Sequence, residues 1–304
     1  MIMGRSAICL TLCVLALGSS LRADNWPQWR GPNLNGSSAE TALPEVLNDT
    51  TKLWEAKLPG HGAGTPIVFD DRIFVSAQER SSGKLLALCF DRDGKPLWSR
   101  EMGQAFGSPP GGQNDMASPS AITDGKFVCF TFGTGDMAAF DMDGKQLWKR
   151  NIQKDHGAWN MLYLYGASPL LYKGRIYLQV LHRNVPVGYW GRPGPNDKLA
   201  DSYLLAIDPA TGKDIFRQIR KTEAVAETME AYSTPMPFES PARSEIILVG
   251  GNCVTGHDPE TGKELWRCGG WNQRGETHLR LVPTITIADD LFVVCTPKVI
   301  NNCG

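Results

Sequence analysis

A unit of four short apolar runs, closed by an acidic turn and an aromatic residue, recurs along this chain. That repetition limits the fold more than any other feature. The clearest copy reads Ser118-Pro119-Ser120-Ala121-Ile122, Asp124-Gly125, Lys126 to Phe132, Gly133-Thr134-Gly135, Met137 to Phe140, Asp141-Met142-Asp143-Gly144-Lys145 and Gln146-Leu147-Trp148. Its runs are rich in β-branched and aromatic residues, and Asp-Gly and Gly-x-Gly supply the positive φ angles of tight hairpins. A small or β-branched residue precedes proline at Thr65-Pro66, Ser118-Pro119, Ser168-Pro169, Thr234-Pro235 and Val282-Pro283. Complete units close as Asp91 to Gly94-Lys95 to Trp98, Asp141 to Gly144-Lys145 to Trp148, Asp208 to Gly212-Lys213 to Phe216, and Asp258 to Gly262-Lys263 to Trp266. From proline to aromatic the distances are 32, 29, 47 and 31 residues; the third is lengthened by Arg183 to Ala200, a Pro- and Gly-rich stretch that reads as an inserted loop.

Units of this kind predict an all-β fold, a β-propeller of four-stranded antiparallel blades, in which radial arrangement leaves only short edges. A sandwich needs no signature at near-constant spacing, and a helical solenoid needs a 3.6-residue periodicity that these runs lack. The blades are expected near 62–101, 115–151, 166–218 and 232–268, with a partial one at 280–297, after a lead segment at 24–51. Lys52-Leu53-Trp54-Glu55-Ala56 reads as a last strand with no blade before it, and the fifth unit breaks off after Leu291 to Cys295. A ring of seven or eight blades takes about 350 residues or more. The propeller region, 52–304, therefore reads as an incomplete ring, a fragment of a longer frame.

The pattern Ala139-Phe140-Asp141 through Gly144-Lys145 to Trp148, repeated as Ala206-Ile207-Asp208 through Gly212-Lys213 to Phe216, resembles the tryptophan-docking repeat of PQQ-like propellers, the quinoprotein and BamB-like family. The opening Trp26-Pro27-Gln28-Trp29-Arg30-Gly31-Pro32 is similar to the start of exported bacterial propellers of that kind. The resemblance covers nearly all of residues 24–297 and is specific for fold rather than activity. Trp54, Trp98, Trp148, Phe216 and Trp266 are expected to be structural, each large ring supplying apolar area across a blade junction.

Residues 1–23 are set aside as a Sec-type signal peptide: Arg5 precedes an apolar run from Ile8 to Gly18, and Leu21-Arg22-Ala23 offers a cleavage site. That run is shorter than the ~20 residues that span a bilayer, so no stable membrane span is expected after cleavage. A periplasmic or secreted location follows. With 31 Lys+Arg against 32 Asp+Glu, bulk charge gives no reason to expect nucleic acid as a partner. Cys89, Cys129 and Cys295 sit in apolar strand-like runs where a thiol behaves as a small hydrophobe, and no C-x-x-C is present. Cys253 and Cys268 are the candidates for a disulfide within one unit.

Loops entering the innermost strands of a propeller gather at the central channel, so the residues before each proline form one candidate constellation. They are His61, Asn114, Asp115, His156, Trp159, Asn160, Glu230, Tyr232, His278 and Arg280, with the Asp155 to Asn160 segment foremost. The alternative is that these groups cap backbone and hydrogen-bond one another at blade junctions. His182 lies on an apolar run and reads as a core or edge histidine. Two functions stand. The preferred one is a non-catalytic binding or scaffold propeller without a cofactor, presenting loop faces to a protein or polymer partner. The other, implied by the resemblance, is an alcohol dehydrogenase-like oxidoreductase of the polyvinyl-alcohol type, using PQQ and Ca²⁺, with Asp115, Asn160 and Glu230 as oxygen-bearing candidates and Asp115 or Glu230 as catalytic groups. No C-x-x-C-H haem site, adjacent cysteine pair or G-x-S-x-G supports an enzyme.

Overall fold

The computed structural model describes residues 24–41, 43–106, 114–183, 201–288 and 291–296. Residues 1–23, where a leader is expected, nearly all of the expected inserted loop (184–200) and residues 297–304 lie outside them. Four antiparallel sheets follow one another along the chain. The first holds β1 (Gly60–His61), β2 (Ile67–Phe69), β3 (Arg72–Glu79), β4 (Lys84–Asp91) and β5 (Pro96–Gln104); β1 and β2 both pair with β3, two pieces of one innermost strand. The second holds β6 (Ile122–Thr123), β7 (Phe127–Thr131), β8 (Asp136–Asp141) and β9 (Gln146–Asn151). The third holds β10 (Leu170–Tyr172), β11 (Arg175–Val180), β12 (Tyr203–Ile207) and β13 (Asp214–Ile219), and the fourth β14 (Met236–Glu239), β15 (Ser244–Gly250), β16 (Cys253–His257) and β17 (Glu264–Gly269). A two-stranded piece, β18 (Thr286–Ala288) with β19 (Leu291–Val293), begins a fifth. This is the blade architecture that the repeat predicts.

The repeated motif has a physical reading, position by position. Its acid folds the outer hairpin: Asp141 Oδ1 accepts from the N–H groups of Asp143 (3.1 Å) and Lys145 (2.8 Å), and Asp258 Oδ1 from those of Glu260 (3.1 Å) and Thr261 (2.8 Å). Its small residue lies directly across the ladder from the aromatic, in the pairs Cys89–Trp98, Ala139–Trp148, Ala206–Phe216 and Gly256–Trp266. The indole needs that room. Its glycine receives the ring of the preceding blade. Gly144 and Gly212 have φ of +82° and +69°, and a Cβ on them would come within 2.7 Å of Trp98 and 2.5 Å of Trp148. Only glycine satisfies both the dihedral and the contact. The indole N–H then donates to a carbonyl of the same turn, Trp98 to Met142 (3.1 Å) and Trp148 to Pro209 (2.7 Å). Two residues on, Arg100 and Arg150 donate to the Gly144 and Gly212 carbonyls at 2.7 Å each.

Phe216 docks on Gly262 in the same way but has no N–H to give. Trp54 docks on Gly94, although residues 52–58 form no ladder with any described strand and Trp54 stays 40% exposed. Trp266 differs: it stacks on Phe292 of β19, centroids 5.6 Å apart, and its N–H goes to Glu245 of its own blade. Cys89 and Cys129 are buried as the sequence suggests, whereas Cys295 is exposed because the two-stranded fifth sheet gives its run no covering layer. Cys253 and Cys268 are both free. Register explains it: Cys253 pairs with Gly269 and Val254 with Cys268, so the two sulfurs stand on opposite faces of the sheet.

Two further devices fix the axis. One is a chain of hydroxyls, in which each blade's N–H donates to the Oγ of the next: Thr65 to Ser120 (2.8 Å), Ser120 to Ser168 (3.0 Å), Ser168 to Thr234 (3.0 Å), and Thr234 to Thr284 (3.0 Å). The other is the N-terminal strap, whose residues bind the first, second, third and fifth blades in turn. Trp26 exchanges backbone bonds with Val68 (2.8 and 2.9 Å), and the Pro27 carbonyl accepts from Thr123 (2.9 Å). The Gln28 amide accepts from Leu171 N–H (3.0 Å) and donates to its carbonyl (3.5 Å), while Arg30 reaches the Ile285 carbonyl (2.8 Å).

Trp148 is 9% exposed and Trp54 40%. Trp148→Ala should cost about 3–5 kcal/mol of stability in urea unfolding, and Trp54→Ala well under half of that. Gln28→Ala strands both Leu171 backbone groups and should cost about 1–3 kcal/mol on the same curve.

Candidate binding funnel

The loops before β6, β10, β14 and β18 meet at the axis in one hydrogen-bonded web. Asn114 donates to the Tyr163 carbonyl (2.7 Å) and accepts from the Asp115 N–H (3.0 Å) and the Ser118 hydroxyl. Tyr163 N–H donates to Tyr232 Oη (3.3 Å), whose own hydroxyl donates to Glu230 Oε2 (2.5 Å). Glu230 is fully buried and also accepts from Leu162 N–H (3.0 Å) and the Arg183 guanidinium. Arg280 lies 3.9 Å from Glu230, pairs with Glu227 and sits 4.8 Å over the Tyr163 ring. Glu227 comes from a 3-10 turn, Ala226–Met229, that leads the chain into Glu230. Two carboxylates and two guanidiniums thus balance in charge where burial demands it.

Above the hydroxyl chain these groups surround a cavity of about 390 Å³ lined by Asn114, Tyr163, Tyr232 and Arg280, with Trp29 of the strap contributing to its wall. The strap was legible in sequence only as a resemblance. Its role required the three-dimensional order of the blades, because Trp26, Pro27, Gln28 and Arg30 each act on a different one.

The remaining candidates divide. His61 Nδ1 stands 3.4 Å from Asp115 Oδ2, while Asp115 Oδ1 caps Ala117 N–H (2.8 Å). His278 is exposed on the rim, 3.9 Å from Glu276. His156, Trp159 and Asn160 do not join the axial web. Asn151 caps a short helix, α1 (Ile152–His156), which turns the chain outward. His156 then lies 2.9 Å from Asp214, on the outermost strand of the third blade. Trp159 is wholly buried, 4.3 Å from the Tyr165 ring, and donates to Tyr203 Oη (3.1 Å). Asn160 is 5% exposed and its carbonyl accepts from Arg183 N–H (3.1 Å). The segment expected to be foremost is a wedge between blades, since a Trp flanked by aromatics finds more apolar area there than at a wet axis. His182 is buried, with Nδ1 3.2 Å from the Arg183 carbonyl.

The oxygens of Asp115 and Glu230 are already engaged by protein donors, and among the described residues no group of three His, Cys, Asp or Glu side chains is arranged to hold a metal ion. These residues do not make a calcium-type oxygen cage.

Burial raises the Glu230 carboxyl above its ordinary value, against the opposing pull of Tyr232 and Arg183, and pushes the Tyr232 hydroxyl upward as well. A carboxyl raised on folding lends stability that is full below the unfolded pKa and fades as pH rises through the folded one. In unfolding curves stepped upward from about pH 4, wild type should lose this contribution progressively and Glu230→Gln should lack that part of the slope.

Residues 46–185 match the family model described as outer membrane protein assembly factor BamB. No curated protein matches the chain. Among solved structures, the quinohemoprotein alcohol dehydrogenase of Comamonas testosteroni aligns with TM-score 0.50 at 15% identity, over 76% of this chain and 38% of that one. BamB of Moraxella catarrhalis aligns with TM-score 0.44 at 15% identity, over 71% of this chain and 54% of that one. The chain therefore spans well under two thirds of either structure. The dehydrogenase alignment speaks for fold alone, and it agrees with the family match and with the motif geometry. The chain is a β-propeller of four-stranded blades, and residues 46–185 of it are similar to the PQQ-like repeats of the matched family.

Proposed function

We propose that this propeller is an exported, non-catalytic binding module that offers its funnel-side loops to a protein partner. The observation that carries this reading is the saturation of Glu230: the buried carboxylate spends its oxygens on Leu162, Arg183 and Tyr232, joining loops from different blades. A web of that kind makes a stiff platform. It supports recognition by a preformed surface and keeps the Glu230 oxygens on protein donors rather than on a substrate. Export rests on the leader at 1–23, and a protein partner on the match to the assembly-factor family. Among the described residues no helix is long and apolar enough to cross a membrane.

The test has two arms. With PQQ and Ca²⁺ added, the protein should develop no bound-quinone absorbance and no alcohol-dependent dye reduction. Alcohol-dependent turnover that vanishes in Asp115→Ala or Glu230→Ala would instead assign the oxidoreductase reading. In cells, a photocrosslinker at the exposed rim residue His278 should join a discrete protein, whereas one at Arg92, in an outer-hairpin turn, should not. Equal yields from the two positions would remove the funnel face as the docking side.

A further inference from the structure

A second cavity, of about 460 Å³, opens beside the fourth blade, walled by Thr222 to Val225, Gly251 to Cys253, Arg267 and Gly269-Gly270. A cation lies behind its wall. Arg220 follows β13 directly, anchored by its N–H to the Ser202 carbonyl (2.9 Å), and its side chain crosses into the fourth blade, where the residue is 2% exposed. Its described hydrogen bonds go to Thr255 Oγ1 (3.0 Å), the Cys253 carbonyl (2.9 Å) and Cys253 Sγ (3.1 Å), none of them a carboxylate. None of these bonds uses Nη1. That nitrogen lies under Gly251, where a Cβ would meet it at 3.1 Å, so a glycine in the cavity wall leaves the guanidinium close to the opening. A second guanidinium, Arg267, held by Glu264 through two 2.7 Å bonds, places Nη1 3.5 Å from the same sulfur. Glu264 acts on Arg220 only through space, with no direct hydrogen bond. Burying a guanidinium with no carboxylate bonded to it is costly, and here the group pressed against it is a thiol facing a cavity.

The neighbours of Arg220 are held in place. His257 Nδ1 lies 2.8 Å from the Gly262 carbonyl and must donate, so Nε2 accepts the Thr255 hydroxyl (2.9 Å) and Thr255 Oγ1 is left to accept from Arg220. The guanidinium is thereby aimed at Cys253. The other described thiols lack this setting. Cys129 lies in apolar surroundings that push its thiol upward, and burial pushes Cys89 up to about 12. Cys268 is exposed on the opposite face of the sheet, and Cys295 is also exposed.

We propose that Cys253 is a peroxide-reactive thiol, a modification site in which two guanidiniums stabilise the oxygen-bearing product. The sulfur forms an S–O bond to one peroxide oxygen and the O–O bond breaks. The departing oxygen takes the thiol proton, giving water from hydrogen peroxide or an alcohol from an organic peroxide, and the sulfur becomes a sulfenic acid. Negative charge grows on the oxygens as the O–O bond breaks, where Arg220 and Arg267 can donate. Cys268 faces away and cannot resolve the product as an internal disulfide. The sulfenic acid persists until a small thiol condenses with it, releasing water.

The test treats the full chain with limiting hydrogen peroxide in the presence of dimedone and maps the adducts by mass spectrometry. Cys253 should be trapped about tenfold faster than Cys268, although exposure favours Cys268. Arg267→Gln, at a partly exposed position, and Arg220→Lys, which keeps a cation, should each slow trapping at Cys253 several-fold and leave Cys268 unchanged, with thermal unfolding identifying any variant that fails to fold. Trapping at Cys268 as fast as at Cys253, or an Arg267→Gln protein that folds and reacts at the wild-type rate, overturns the proposal.

Discussion

An indole laid over a glycine turn of the next blade is the contact on which the rest of this molecule depends. A four-stranded sheet of five- or six-residue strands cannot bury both faces by itself. Each blade therefore exports an aromatic ring to its successor and receives one from its predecessor. Trp98 shows the result: its ring lies among Phe74, Phe130 and Phe140, with centroids 5.7 to 6.1 Å away, two of those rings belonging to the next blade. The core is a series of junctions rather than one interior, and the buried clusters span adjacent blades for that reason.

The axis is held by polar contacts. Docked rings set how far apart the outer edges stand, but they do little to fix the inner strands. The hydroxyl chain does so by giving a backbone N–H in one blade an acceptor in the next, a bond that water would otherwise compete for. The strap adds a second tie, through backbone at the first two blades and through side chains at the third and fifth. Above this base, the Glu230 web works because the base is rigid. Loops that enter from fixed strands can share one buried carboxylate without a large entropy cost.

Much of the fold was legible in the sequence because its cause is local. Asp141, Gly144 and Trp148 act within one hairpin and its immediate neighbour, so their spacing recurs wherever the hairpin does. The alanine of the motif proves to be the small residue beneath the indole, a constraint that pattern alone records without explaining. The site was less legible. Asp155 to Asn160 carries the residue types of a binding loop, yet the Asn151 cap and α1 rotate it into a blade junction. Nothing in the spacing of Glu230 and Arg183, which are 47 residues apart, signals that they pair; that follows from two blades being adjacent. Gln28 is a similar case, its partner 143 residues away.

Trp266 shows what the docking contact requires by doing without part of it. Among the described residues no Gly-Lys turn follows it, and its indole N–H turns back to Glu245, with Gly256 across the ladder leaving room for both. Phe292 supplies a stacked ring in place of a turn. Glu245 is buried and holds Arg243 as well, so the substitute partner is itself part of a charge pair. Apolar area over the ring can come from any neighbour, but the N–H must have an acceptor wherever the indole is covered. The carbonyl that Met142 and Pro209 provide for Trp98 and Trp148 is therefore as much a part of the repeat as the glycine, and it is the part that Phe216 dispenses with by carrying no donor.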